Sequence, residues 1–126
     1  MTRREEIRVP GRPELSHSAD AVRADDLVFV AGILPVDADG RLVGEDAVEQ
    51  ARFVLDELGR ILRGAGCSPA DVVKVCVYLT DVHDRPSINP LRQAFFGAAR
   101  PASTLVEVSG LAVPGAKVEI DAVAAA

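Results

Sequence analysis

The sequence predicts an α+β sandwich in which two helices cover one face of a β-sheet. Three observations carry this. Segments with an apolar side chain at every second position recur towards both ends of the chain, as strands that turn one face to a core require. Between them, residues 47–63 change to a three- and four-residue apolar spacing, which is the period of an amphipathic helix. A second, shorter helical face follows a further strand, so the order runs strands, helix, strand, helix, two strands.

Taken in order, residues 1–15 set Pro10 and Pro13 among charges and read as a flexible or peripheral start. Runs 21–24 and 27–31 are extended, and Asp25-Asp26 between them makes a tight hairpin turn. Gly32 and Pro35 close the second run, and residues 36–44 form another turn with Asp39-Gly40 at its tip. In the long helix Ala47, Ala51, Val54, Leu55, Leu58, Ile61 and Leu62 share one face, and Gly64 and Gly66 end it. Ser68-Pro69-Ala70-Asp71 has the outline of a capping box, so one helical turn leads into the next strand.

That strand, 72–80, puts Val73, Val75, Val77 and Leu79 on the face that wants a helix, and Lys74, Cys76, Tyr78 and Thr80 on the other. Pro86 and Pro90 stand too close for one uninterrupted helix. Residues 82–90 are therefore expected to be irregular, with Asn89 as the N-cap of a short helix that ends near Gly97. Two strands, 103–109 and 117–125, complete the chain around a loop containing Gly110, Pro114 and Gly115.

At 126 residues the chain is one domain, 1–126, with enough apolar content for a core. Its 19 acidic against 14 basic residues give a net charge of −5, and the basic ones are scattered beyond Arg3, Arg4, Arg8 and Arg12. Nucleic-acid binding depends on lysine and arginine neutralising phosphates, so no nucleic-acid partner is expected. Cys67 and Cys76 match neither a metal spacing nor a disulfide framework, so no metal site is expected. Cys76 reads as a small buried residue and Cys67 as part of an exposed turn. No apolar run is long enough for a bilayer and the first residues lack a signal-peptide pattern, so the expectation is a cytoplasmic protein with no membrane partner. No phosphate loop or nucleotide fingerprint is present, and no cofactor is expected. The sheet face bearing Cys76 and Tyr78 is too apolar to remain wet and invites self-association.

The last two strands carry carboxylates. Ser103, Leu105 and Glu107 share one face, opposite Thr104, Val106 and Val108; Glu119 and Asp121 share another, opposite Val118 and Ile120. Such carboxylates need water, a partner or a chemical role, and a half-solvated sheet satisfies this as well as an active site does. The runs PASTLVEV and VEIDAVA around the Gly/Pro loop, DLVFVAG at 26–32, DVVKVCVYLTD at 71–81 and the segment 89–97 ending in FFG form a set. Over about residues 20–125 that set resembles the Rid (YjgF-type) family of reactive-intermediate enamine/imine deaminases.

The resemblance implies a Rid/chorismate-mutase-like sandwich with a mixed sheet. It also implies a barrel-like homotrimer with a small-molecule ligand in clefts between subunits. Members that hydrolyse 2-imino acids grip the substrate carboxylate with an arginine at the position of Ser103. Arg100, three positions earlier, would point to the opposite face of an extended strand. Ser18 falls where the family often has a cleft tyrosine, and Ala31 where many members have a serine. Glu119 matches the glutamate that positions or activates the hydrolytic water; otherwise it makes an inter-strand or inter-subunit hydrogen bond. The candidate catalytic residue is thus Glu119, and the candidate substrate-binding residues are Ser103, Leu105, Ser18, His17 and Ala31. The expected function is hydrolytic deamination of an enamine or imine, aminomuconate-like or specific to one pathway. The alternative is a trimer that binds a metabolite or partner without turnover. Ribonuclease activity is disfavoured by the acidic charge and the lack of a basic groove in the sequence.

Overall fold

A computed structural model describes residues 3–126; residues 1 and 2 of the expected flexible or peripheral start lie outside the described residues. The strands are β1 (Arg4–Ile7), β2 (Ala21–Ala24), β3 (Leu27–Ile33), β4 (Val72–Leu79), β5 (Ala102–Glu107) and β6 (Val118–Ala125). The helices are α1 (Ala47–Gly64) and α2 (Arg85–Phe96). One six-stranded mixed sheet runs in the order β1-β2-β3-β6-β4-β5. Among the described residues only β4 and β5 pair in parallel, and α2 supplies the crossover that such a pair needs. The result is the expected α+β sandwich.

Local chemistry explains the turns. Asp25 takes a left-handed φ of 52° at the β2–β3 hairpin. Asp37 Oδ1 accepts from the backbone N–H of both Asp39 and Arg41, wrapping the loop around Gly40 at φ 80°. Asp46 caps α1 by accepting from Glu49 N at 2.8 Å. The α1 stripe of Ala51, Val54, Leu58, Ile61 and Leu62 is buried against Val28, Val30, Val75, Val77, Ile120 and Ala122 of the sheet. Gln50, also fully buried, donates to the carbonyls of Gly44 and Gly115 and accepts from Lys117 N, clamping the loop before α1 to the loop before β6.

The N-terminal segment adds β1 at the edge of the sheet. Arg12 pairs with the buried Glu57 of α1 at 2.9 Å, and Asp20 accepts from Val9 N at 2.8 Å.

Four expectations are corrected. First, α2 begins at Arg85, so Asn89 lies inside a helix and caps nothing. Pro86 occupies the first turn, where its missing N–H has no intrahelical partner to lose. Pro90 does remove one bond, and the burial of Ile88 and Phe96 on this helix offsets it. Second, a bulge between Val72 and Lys74 puts Val72 in the core and leaves Val73 47% exposed, so Val73 is not a core-facing residue. Third, Cys67 is buried under the end of α1, where burial pushes its thiol up. Fourth, Cys76 is partly exposed on the open sheet face.

That open face opposes the helices. Leu27, Phe29 and Val106 stand exposed on it, with the partly exposed Tyr78 among them.

Candidate functional site

Strand register assigns each candidate to a face. Val75, Val77 and Leu79 of β4 are buried under the helices, and their neighbours on β6 are Ala122, Ile120 and Val118. The alternate residues of β6, Glu119 and Asp121, therefore face the open side, beside Tyr78 and Cys76 of β4. On β5, Ser103 sits beside Val75 and Leu105 beside Val77, which puts both on the helix side. Glu119 and Ser103 thus project from opposite faces of the sheet, and a single protomer cannot turn both towards one small molecule.

On the open side Glu119 lies over the β3 bulge between Val30 and Ile33. A methyl group at Gly32 would overlap Glu119 Oε2, so the carboxylate occupies space that the absence of a side chain at position 32 leaves open. Ala31, next to it, donates its N–H to the Asp20 carbonyl at 3.0 Å. Burial, and then the charge of Asp121, raise the Glu119 carboxyl above its ordinary value of 4.5. Asp121 in turn accepts a hydrogen bond of 2.9 Å from the Tyr78 hydroxyl, and that carboxylate pushes the phenol up to about 12. A half-buried carboxyl with a raised pKa is suited to taking a proton from water and returning it within one reaction.

On the helix side, a cleft of about 630 Å³ opens between α2 and the free edge of β5. Ser103 Oγ accepts from Arg92 Nη2 at 2.5 Å, and Asn89 Oδ1 accepts from Arg92 Nη1 at 3.3 Å. Arg85 and Arg100 also line the cleft, and none of the described residues lining it carries a carboxylate. Burial, and then the charge of Arg85, lower the Arg92 guanidinium from its ordinary value. Arg100 precedes the first residue of β5, so strand parity does not govern it, and it lines the same cleft as Ser103. The expectations of a scattered basic set and no basic groove are corrected locally: folding gathers three arginines here.

His17 and Ser18 are exposed in the loop before β2; Ser18 Oγ lies 3.2 Å from Ser16 Oγ. Neither joins the Glu119 group or the Ser103 cleft among the described residues. Glu107 accepts from Val82 N at 2.9 Å and so holds the turn that leads into α2.

Sequence reasoning passed over Arg92. Arg85, Asn89 and Arg92 follow at i, i+4 and i+7 along α2, one helical face, and dividing this segment at Pro90 hid that spacing.

The sequence matches the family model described as Endoribonuclease L-PSP over residues 11–126. It is 41% identical over 113 residues to 3-aminoacrylate deaminase RutC of Acinetobacter baylyi, covering 89% of each chain. It is 36% identical over 107 residues to 2-iminobutanoate/2-iminopropanoate deaminase of Capra hircus, covering 84% of this chain and 77% of that one. Among solved structures, a Rid family protein of Yersinia pestis superimposes with a TM-score of 0.92 at 28% identity, over 98% of this chain and 100% of the other.

Proposed function

This chain belongs to the YjgF/Rid family, and from that membership and the two groups of side chains we propose that it hydrolyses an enamine or imine in sites shared between protomers of a homotrimer. Enamine and imine deamination is an activity named among its relatives. The observation that carries the reading here is Glu119: half-buried, raised in pKa and packed against the bare backbone of Gly32.

In the proposed reaction an enamine first takes a proton from solvent at carbon, which gives the protonated imine. Water then adds to the protonated C=N carbon, and Glu119 takes the proton that the water loses. The tetrahedral carbinolamine collapses with that proton delivered to nitrogen and its hydroxyl proton taken up by the Glu119 carboxylate, which then releases it to solvent. The C–N bond breaks, ammonia leaves and a carbonyl remains. No metal or cofactor enters these steps.

The opposed directions of Glu119 and Ser103 support a shared site. β5 is an edge strand of the sheet, so the proposal seats the open face of a second copy beside the Ser103 cleft. The exposed Phe29, Leu27 and Val106 supply apolar surface for that contact. Leu105, half-buried on the Ser103 side, packs against the core beneath the cleft, and Ala31 is assigned to the Glu119 side. His17 and Ser18 are assigned to the rim that a neighbouring copy completes.

Ammonia release from freshly generated 2-iminopropanoate and from 2-aminomuconate tests this, wild type beside Glu119→Gln. Acceleration by the wild type that Glu119→Gln loses with its assembly intact is expected. Equal rates in the two proteins would remove Glu119 from the chemistry, and no acceleration of either substrate would favour a trimer that binds without turnover.

A further inference from the structure

We propose that Arg92, carried on α2, is the group that grips an acidic substrate, and that Ser103 is a rest for its guanidinium instead of a substrate contact. Arg85 and Arg100 at the mouth of the cleft draw the acid in. This rests on the deaminase reading above and assigns the side chain of this chain that would hold a carboxylate of the substrate.

The hydrogen bonds define what is free. A guanidinium has five N–H donors, and Arg92 gives one to Ser103 Oγ and one to Asn89 Oδ1. Its Nε is buried and has no hydrogen-bond partner. Buried donors and charges are normally partnered, and an anion is the partner a guanidinium fork matches in shape, through two parallel N–H···O bonds. No side chain of the cleft supplies that anion, since its polar lining is Arg85, Asn89, Arg92, Gln93, Arg100 and Ser103.

The local charge makes the same point. Three arginines converge in one cleft of a chain whose net charge is −5. Such a focus of positive potential raises the local concentration of small anions and gives nothing to a neutral ligand. Lysine in the place of Arg92 would keep the charge and lose the fork. A long polyanion is a poorer fit, because single-stranded nucleic acid relies on stacking platforms and the aromatic residue lining this cleft, Phe96, is buried. In the shared site, Arg92 of one copy holds the acid while Glu119 of a second copy meets the C=N carbon.

The test titrates the intact protein with 2-oxobutanoate, a stable acid of the product class, and with its methyl ester, following amide shifts by NMR. The wild type is expected to bind the acid at least about tenfold more tightly than the ester, and Arg92→Ala to weaken the acid by about tenfold or more. Arg92→Lys recovers part of the loss. Ser103→Asp sets a carboxylate against the guanidinium from within, and is expected to abolish acid binding without lowering Tm, which separates loss of the site from loss of the fold. Ester binding equal to acid binding, or undiminished acid binding by Arg92→Ala, would overturn the proposal. So would displacement of the acid at equal concentration by inorganic phosphate or by a short single-stranded RNA. The two readings fail separately. Arg92→Ala with wild-type KM for ammonia release sinks this proposal and leaves the deaminase. Acid binding that depends on Arg92, in a protein releasing no ammonia, upholds the grip and sinks the deaminase.

Discussion

The carboxylate of Glu119 rests on Gly32, so close that a side chain at position 32 would occupy the place of Oε2. What Gly32 supplies is space for that carboxylate, since its backbone is not among the positive-φ positions. Gly32→Ala is therefore expected to push the carboxylate aside and cut kcat by about tenfold or more while the helices stay folded. Circular dichroism and ammonia release measure the two halves of this; an unchanged kcat would show that the position of Glu119 is immaterial.

The raised pKa of Glu119 links activity to stability. Its folded value lies above the ordinary 4.5, so the fold favours the protonated form. That contribution is complete below the unfolded value and is lost as pH rises through the folded one. Glu119→Gln mimics the neutral form and is expected to be more stable than the wild type at pH 7. Because the group is half-exposed and screened, the gain is below about 1 kcal/mol, a few degrees of Tm, and it vanishes below about pH 4. Thermal melts across pH check the sign.

Asp121 contributes to that shift, so Asp121→Asn should lower the Glu119 pKa. The kcat/KM of the wild type is expected to rise with pH through the Glu119 value, and the variant to show the same limb displaced to lower pH. A coincident profile would mean that another group limits the acid side.

A site shared between copies predicts complementation. Arg92→Ala, weakened in substrate binding, and Glu119→Gln, lacking turnover, should regain activity when their subunits are mixed after unfolding, with about a quarter of the sites in randomly mixed trimers carrying both native residues. Mixtures as inactive as either parent would place the site within one protomer.

Phe29 is 46% exposed on the open face, beside Val123 of β6. Phe29→Glu is expected to prevent assembly, giving monomers in sedimentation and no ammonia release, with the helix signal retained.

Much of the fold was legible because its signals are local. The alternation in 103–107 and 118–125 and the three- and four-residue spacing of α1 are properties of single elements, and the structure follows them. Where local rules compete with packing they fail. Pro90 argued for a break in α2, yet Ile88 and Phe96 bury enough apolar surface to carry the helix through it. Val73 obeyed the alternation of β4 on paper, and a bulge turned it outward. The first error had a consequence for the site, because it concealed the face that unites Arg85, Asn89 and Arg92.

By itself the sequence determined the sandwich and, away from the bulge at Val73, the faces within the strands, and its motifs marked the family; side-chain period and motif spacing are written along the chain. Only the tertiary structure decided that the sheet stands between Glu119 and Ser103, and that Arg92 reaches Ser103 from another element. Register between strands and the packing of α2 on the sheet join residues distant in sequence, and no pattern within one segment encodes them.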